Sequence, residues 1–518
     1  MTRPASRPAS PTPPARRPRP PTTTSARTFT YDGAGRLLTA ATSAAGTSGT
    51  PGYQPASSET FGYDDRGLLL SAPGSAGTSV FTYNGSRQLA TAAEAAGTST
   101  YAYDSAGRLA TNADAASGVT GTYAYNNLDQ VTGISYGTGN DTQSFGYDSL
   151  HRLTSDTIAT AGSSQVAAIS YGYDASNDVT SMTTSGLATP GGGTGTVTNA
   201  YGYDQAGRLT SWTATPSGGS AVTKTYGYDD AGNLTSNNGT TFSYDARNEL
   251  TSDGSSTYTY AADGDLATGT GPGGTSSYAS DAYGQQVTDA ASSLSYDALG
   301  RMVSDARQAG GTIALTYDGQ TNQVASDASA SYSRDPAGQI TGVSTTGGTR
   351  LLALNNQHDD LSGTFAAAGT SLAGSVTYDP WGQVLAGTGP AIQVGYQGQW
   401  TDPGTGQVDM GARFYKPSAG GSSTRTPTPA GGAARRSPAT CTPTPMTTRC
   451  RSPTRPGTRR LRPPGPAASP PRRSQARSRG RPRRTPRPWP RRRPLWWRPG
   501  WRRRRRRRRM ARRRWPGC

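Results

Sequence analysis

Cysteine is absent from most of this 518-residue chain; Cys441, Cys450 and Cys518 all fall near its C-terminal end. The long body therefore has no disulfide framework, no Cys–His nucleophile pair and no cysteine zinc site, and it fits any redox compartment. Histidine is almost as scarce. His151 and His358 stand in distant segments, and each reads more readily as a surface residue than as a ligand. No apolar run approaches the roughly 20 residues of a membrane-spanning helix. The opening MTRPASRPASPTPPARRPRPPTTTSA is basic and lacks the apolar core of a secretory signal. Either the chain is not exported by that route or its true start is missing. The Gly-rich PGGGTGT at 190–196 lacks the Gly-Lys-Ser/Thr ending of a phosphate-binding loop and reads as a linker.

Acidic residues are missing from both ends. All 33 lie in 31–420, together with only 14 of the 52 basic residues, so this body carries about −19 although the whole chain carries +19. The basic excess sits in 1–30 and 421–518. The final stretch WWRPGWRRRRRRRRMARRRWPGC combines dense arginine with interleaved tryptophan, the ingredients of non-specific polyanion binding.

What the body does contain is a repeat. An aromatic, a small residue, Tyr-Asp, two variable residues, Gly, a polar residue and Leu recur as FTYDGAGRLLT (29–39), FGYDDRGLLL (61–70), YAYDSAGRLAT (101–111), FGYDSLHRLTS (145–155), YGYDQAGRLTS (201–211), YGYDDAGNLTS (226–236) and FSYDARNELTS (242–252). Weaker copies surround Tyr83, Tyr125, Tyr173, Tyr260, Tyr296, Tyr317, Tyr332 and Tyr378. Each copy reads as a hairpin. Tyr201 and Tyr203 project to one face of a strand, with Gly202 turned the other way. Asp204 opens a turn and accepts backbone N–H bonds, Gly207 supplies the positive φ of a bulged loop, and Leu209 returns to the tyrosine face. A lone hairpin is marginal in water, so the copies must pair side by side. The tyrosines and aspartates therefore read as packing and turn residues; the alternative is an exposed tyrosine row that stacks on sugars.

This pattern resembles the Rhs/YD-repeat family over most of residues 29–417. The segment VTYDPWGQVLAGTGPAIQVGYQGQWTDPGTGQVDMGARFYKP (376–417) is similar to that family's core-associated segment, with its YDPxG, TDPxTG and GARxYxP elements in order. The resemblance implies a spiralling β-sheet shell around a C-terminal toxin, closed by the core segment and followed by an Asp-dependent self-cleavage motif. It also implies an extracellular or cell-wall location. The expected fold is all-β, a long antiparallel sheet of hairpins curved into a partial spiral shell. A disordered leader (1–28), the repeat array (29–375), the core-associated segment (376–420) and a disordered Arg/Pro-rich tail (421–518) follow in order. Asp379, Pro380, Gly382, Asp402, Pro403, Gly406, Gly411, Ala412, Arg413 and Tyr415 carry the core motifs and are assigned structural roles. No catalytic, metal or cofactor-binding residue is assigned and no cofactor is expected. Asp409 lies beside the Gly-Ala-Arg element, but the segment that would complete a site around it is scrambled.

The scrambling has a specific form. Phe-Val-Asn-Lys-Asp-Thr-Tyr-Thr, read one base later, becomes Ser-Ser-Thr-Arg-Thr-Pro-Thr-Pro, residues 422–429. Asn-Leu-Tyr-Thr-Tyr-Ala-Tyr-Asp-Asn-Pro-Leu likewise becomes residues 440–450, and Met446 followed by Thr447 forces an Asp codon in the other frame. The set of permitted peptides includes YDNPLPVPDPSG, the family's terminal motif at its expected place. A frameshift near residue 421 is the expectation, and with it loss of self-cleavage. An alternate frame of GC-rich DNA also yields an Arg/Pro/Ala-rich, Lys-poor tail. The leader shows no motif that would assign it a similar origin. Three functional readings remain: a structural shell fragment whose partner, in an intact relative, is a C-terminal toxin cargo; a cell-surface protein whose repeats bind cell-wall glycan; and non-specific nucleic-acid binding through the tail. No specific nucleic acid and no membrane span are expected.

Overall fold

The computed structural model describes residues 26–422 apart from residues 290, 291, 308, 309 and 412. The two tails read as disordered therefore lie almost wholly outside the described residues. Of their described residues, Arg27 and Thr28 begin strand Arg27–Tyr31 and Gly421–Ser422 is a short strand, while Ala26 is in neither.

The hairpin reading holds to the atom in the copy at 201–211. Strand Thr194–Tyr203 pairs antiparallel with Leu209–Pro216, and the register shifts between Gly202 and Tyr203, the bulge the loop requires. Asp204 Oδ1 accepts the Ala206 and Arg208 N–H groups, each at 2.9 Å, and Oδ2 takes Arg208 Nε at 2.7 Å. Gly207 has φ of 74° and donates to Asp204 O at 3.0 Å. Leu209 is fully buried, on the same face as Tyr201 and Tyr203.

Successive copies are locked together by the second tyrosine. Tyr203 donates its hydroxyl to Val179 O at 2.8 Å, and Tyr228 donates to Leu209 O at 2.7 Å, in each case the first residue of the preceding return strand. The same arginine that closes one turn lies over the next tyrosine ring: Arg208 is 4.8 Å from the Tyr228 centroid and Arg152 4.5 Å from that of Tyr173. Each hydrogen bond contributes about 1 kcal/mol and each cation–π contact about 0.5–1 kcal/mol. A marginal hairpin thus becomes one rung of a cooperative ladder.

Among the described residues there is no α-helix, and the strands form an antiparallel meander. The meander runs as sheets of 20, 9, 8 and 3 strands. Two of the interruptions are single residues. Phe242 and Leu315 are buried, yet their N–H groups still reach back to Thr235 O (2.9 Å) and Val303 O (3.0 Å), so the ladder bends there without letting go.

The ladder winds back on itself. Arg27 meets Tyr283, 256 residues on; Gln54 meets Leu294 at a separation of 240; Tyr101 meets Arg334 at 233. Further along, Ala188 meets Ser375 at 187 and Lys224 meets Asp379 at 155. The separation between facing residues falls from 256 at the beginning to 155 and 163 at the end, so the later winding holds fewer residues than the earlier one and the spiral tightens. The cores lie between windings. One joins Ile158, Ile169, Leu209 and Trp212 to Leu354, Phe365 and Trp381; another joins Ala76 to Leu315, Tyr332 and Trp400. The result is an open, partial spiral of antiparallel sheets, in agreement with the expected fold.

Candidate functional site

The narrow end of the spiral is where the core motifs lie. The last complete copy turns at Asp379, whose Oδ1 accepts Trp381 N (2.9 Å) and Gln383 N (3.0 Å) and whose Oδ2 takes Lys224 Nζ from the facing winding (3.0 Å). Gly382 has φ of 86°, and a Cβ there would stand 2.7–2.8 Å from the Tyr396 ring, so only glycine lets that ring close over the turn. Tyr396 donates to Pro380 O (3.2 Å) and stacks on Tyr415 with centroids 6.0 Å apart; Tyr415 is fully buried and donates to Trp381 O (2.8 Å).

From Pro390 the chain leaves the ladder and runs as a strap against strands laid down much earlier. Gln393 N meets Ser329 Oγ (3.2 Å), Val394 N meets Tyr332 Oη (3.3 Å), and Gln397 N meets Asp360 Oδ1 (2.8 Å). The second core turn, at Asp402, is held by Gly404 N (2.8 Å) and Thr405 Oγ1 (2.7 Å), with Gly406 N on Asp402 O (2.8 Å), and the Arg307 guanidinium bonds its carboxylate. Pro403 is the exposed corner of that turn. Gln407 Nε2 then reaches Asp289 Oδ2 (3.1 Å). In the third element Gly411, φ 78°, donates to Asp409 Oδ1 (2.7 Å), and Arg413 O accepts Met410 N (3.0 Å). Lys416 Nζ ends the strap on Asp253 Oδ2 and Tyr258 Oη, both at 2.7 Å. Of the ten core-motif positions, Ala412 lies outside the described residues. The Asp379 turn and Tyr415 meet in one aromatic cluster, whereas the Asp402 turn sits apart on Arg307.

The electrostatics follow from this burial. Burial alone would raise the Asp253 carboxyl, but Lys416, Tyr258 and Ser255 hold it well below the usual carboxylate range. Asp360 behaves alike: His358 and the Gln397 N–H more than offset burial and bring it below its ordinary value. Asp289, with Asp305 as a like-charged neighbour, is pushed up by burial to about 6. Removing one member of a buried pair such as Lys416–Asp253 strands the other charge, which costs more than the pair itself contributes. Among the described residues no His/Cys/Asp/Glu group has the makings of a metal site, and no helix is long and apolar enough to cross a membrane. A cavity of about 30 Å³ beside Ile169, Leu187 and Tyr378 has room for a single water.

One expectation needs correction. His358 is not a surface residue: its side chain is 11% exposed, Nδ1 lies 3.0 Å from Asp360 Oδ1, and its ring is 5.2 Å from that of Tyr396. The turn it occupies is roofed by the strap, which local sequence does not reveal. The clasp residues Lys224, Lys416, Arg307, Asp253 and Tyr396 also escaped the sequence reading. A tyrosine row open to sugar stacking is not present where arginine covers the second-tyrosine rings, as at Tyr63, Tyr125 and Tyr228.

Comparison with known proteins places this geometry. The Teneurin YD-shell family model matches residues 122–424, more than half of the chain. The crystal structure of TcdB2-TccC3-Cdc42 superposes with a TM-score of 0.54 at 16% identity, over 77% of this chain and 25% of that one. The Photorhabdus luminescens Tc holotoxin pore gives 0.53 at 15% identity, over 79% and 25%. This chain thus spans about a quarter of those chains, and at that identity the likeness is one of fold. Among curated proteins no sequence match was found. With its repeats, its strap and its core motifs, the chain belongs to the Teneurin YD-shell family, within the Rhs/YD-repeat group, and is a structural β-shell protein of that kind.

Proposed function

We propose that this chain is the closing part of a toxin shell, which encloses or presents a C-terminal effector outside the producing cell and performs no catalysis of its own. The observation that carries this reading is the strap: residues 390–416 cross the narrow end of a tightening spiral, and strand Gly421–Ser422 pairs with Phe414–Lys416 at the point where the chain moves on. Such an arrangement ties whatever follows Ser422 to the mouth of the shell. The tail that starts near residue 421 is out of frame in this proposal, so the effector and the terminal Asp motif are lost and self-cleavage with them. An Asp-dependent cleavage needs a carboxyl group near the scissile bond, and CTPTPMTTRCRSPTRPG at 441–457 has none.

The test compares the chain as written with a version whose frame is restored by one base near codon 421. Restored protein should show a fragment boundary near the recovered DNPLPVPDPSG by mass spectrometry. Its C-terminal portion should resist protease until the shell is unfolded. The chain as written should show neither. A cut near residues 450–460 in the unrestored chain, in a protease-free preparation, defeats the frameshift reading. A restored C-terminal portion that digests as fast as the same peptide alone defeats the shell function.

A further inference from the structure

Inside the ladder each copy holds its neighbour by two reciprocal contacts. The second tyrosine of one copy donates to the first carbonyl of the preceding return strand, as Tyr63 does to Leu37 O (2.9 Å) and Tyr103 to Leu89 O (2.8 Å). The bond survives a change of residue: Arg334 Nη1 donates to Val324 O (2.8 Å) and Asn355 Nδ2 to Ile340 O (2.7 Å). In the other direction, a glutamine just before that return-strand residue donates to a turn carbonyl of the following copy. Gln88 reaches Gly107 O (2.8 Å) and Gln323 reaches Gly338 O (2.9 Å).

Among the described residues, two copies have a neighbour on one side only. At the beginning, Arg27–Tyr31 pairs with Leu37–Thr42 alone; Tyr31 is 58% exposed and its hydroxyl has no partner among the described residues. At the end, Val384–Thr388 pairs with Gly374–Tyr378 alone; Val384 is 57% exposed and Gln383 beside it is exposed too. The equivalent return-strand residues of the interior copies, from Leu69 to Leu361, are all covered at least in part. The two deficits are complementary. Tyr31 wants a return-strand carbonyl, and Val384 has one to give; Gln383 wants a turn carbonyl, and Gly35 stands where Gly107 and Gly338 stand in their copies.

We propose that a second copy of this chain fills both. Strand Val384–Thr388 of one molecule adds antiparallel to Arg27–Tyr31 of the next, with the Tyr31 hydroxyl on Val384 O, the Gln383 amide on Gly35 O, and the Val384 side chain covered by the Tyr31 ring. Open strand edges of this kind are templates for pairing. Because the two edges are different surfaces, the association is head to tail and does not close at two molecules.

The test is sedimentation velocity of the full chain across a dilution series, at about 0.5 M salt so that attraction between the acidic body and the Arg-rich tail is screened. The mass should climb with concentration beyond that of a dimer. Tyr31→Phe removes one neutral hydrogen bond and should weaken association about threefold to tenfold. Tyr31→Lys and Val384→Lys each put a charge on one edge and should cap assembly; both positions are exposed, so the melting temperature should not move. Mixing the two lysine variants is decisive, since each keeps one working edge. The mixture should form a one-to-one pair and nothing larger. A wild-type chain that stays monomeric at every concentration overturns the proposal, as does association that neither lysine variant reduces. A mixture that grows past a pair, or does not pair, overturns it as well. A monomeric wild type that binds a synthetic peptide of residues 201–216, and loses it in Tyr31→Lys, would replace the second copy by a different YD-repeat polypeptide.

Discussion

Replacing Lys416 by methionine should unfasten the strap while leaving the ladder intact. Lys416 Nζ bonds Asp253 and Tyr258 across gaps of 163 and 158 residues, and the Asp253 side chain is only 5% exposed. Methionine keeps most of the volume and removes the cation, stranding a buried carboxylate. Breaking a fully buried pair costs about 3–5 kcal/mol. Lys416 keeps some contact with water, at 29% exposure, so the lower value, about 2–3 kcal/mol, is the appropriate figure. The loss falls on local opening of the strap rather than on global unfolding. At about 1.4 kcal/mol per decade, amide hydrogen exchange at Phe414–Lys416 and Gly421–Ser422 should quicken about 30-fold to 140-fold. Exchange in Thr142–Tyr147 should not change. Lys416→Arg should behave nearly as wild type. Asp253→Asn added to Lys416→Met should recover much of the protection, because a neutral amide needs no cation. Burial and the clasp together leave the Asp253 carboxyl below its ordinary value. Its contribution is therefore present above the unfolded carboxylate pKa and is lost only as pH falls through the lower folded value. Strong acid should loosen the strap and mild acid should not. Uniform acceleration across the whole ladder, or none at the strap, would refute the assignment of the strap as a separately fastened element.

Asp156 provides the opposite pH dependence. Burial pushes its carboxyl up to about 7 despite two bonds from Gln143 Nε2 at 2.8 and 3.0 Å, so the fold favours the protonated form. Stability should decline as pH rises from about 4 through 7, by on the order of 3 kcal/mol, and D156N should abolish the slope, matching wild type at pH 4 and exceeding it at pH 8 in thermal melts. Two glycines at equivalent turn positions should respond unequally to alanine. Gly207→Ala meets no atom within 4 Å and should cost only the left-handed strain, about 1 kcal/mol. Gly382→Ala collides with the Tyr396 ring as well and should cost at least about 3 kcal/mol by denaturant titration; equal losses would mean that the ring moves freely.

How much of this was legible in the sequence depends on how far apart the interacting atoms lie along the chain. The turn chemistry of Asp204, Gly207 and Arg208 closes within five residues, and the sequence reading recovered its aspartate acceptor, its positive φ and its bulge. The core turns at Asp379 and Asp402 were readable for the same reason. The inter-winding partners were not, because the separation between facing residues is the sum of twist and bend over many strands, falling from 256 to 155 along the chain. No local pattern encodes that sum, so neither the burial of His358 nor the pairing of Arg307 with Asp402 could be foreseen. One signal was nevertheless available. The body uses arginine almost exclusively as its cation, because the planar guanidinium spans a turn aspartate, a neighbouring carbonyl and a tyrosine face at once, a fork that lysine cannot reproduce. Lys224 and Lys416 are the only lysines in the chain. Both lie outside the turns, and both place a compact charge on a buried aspartate of another winding, Asp379 and Asp253. A cation that departs from the repeat's chemistry is free of the repeat's task. In this shell the two departures are the two lysine clasps at the narrow end, a rule by which the fastening points of other YD ladders can be sought from sequence.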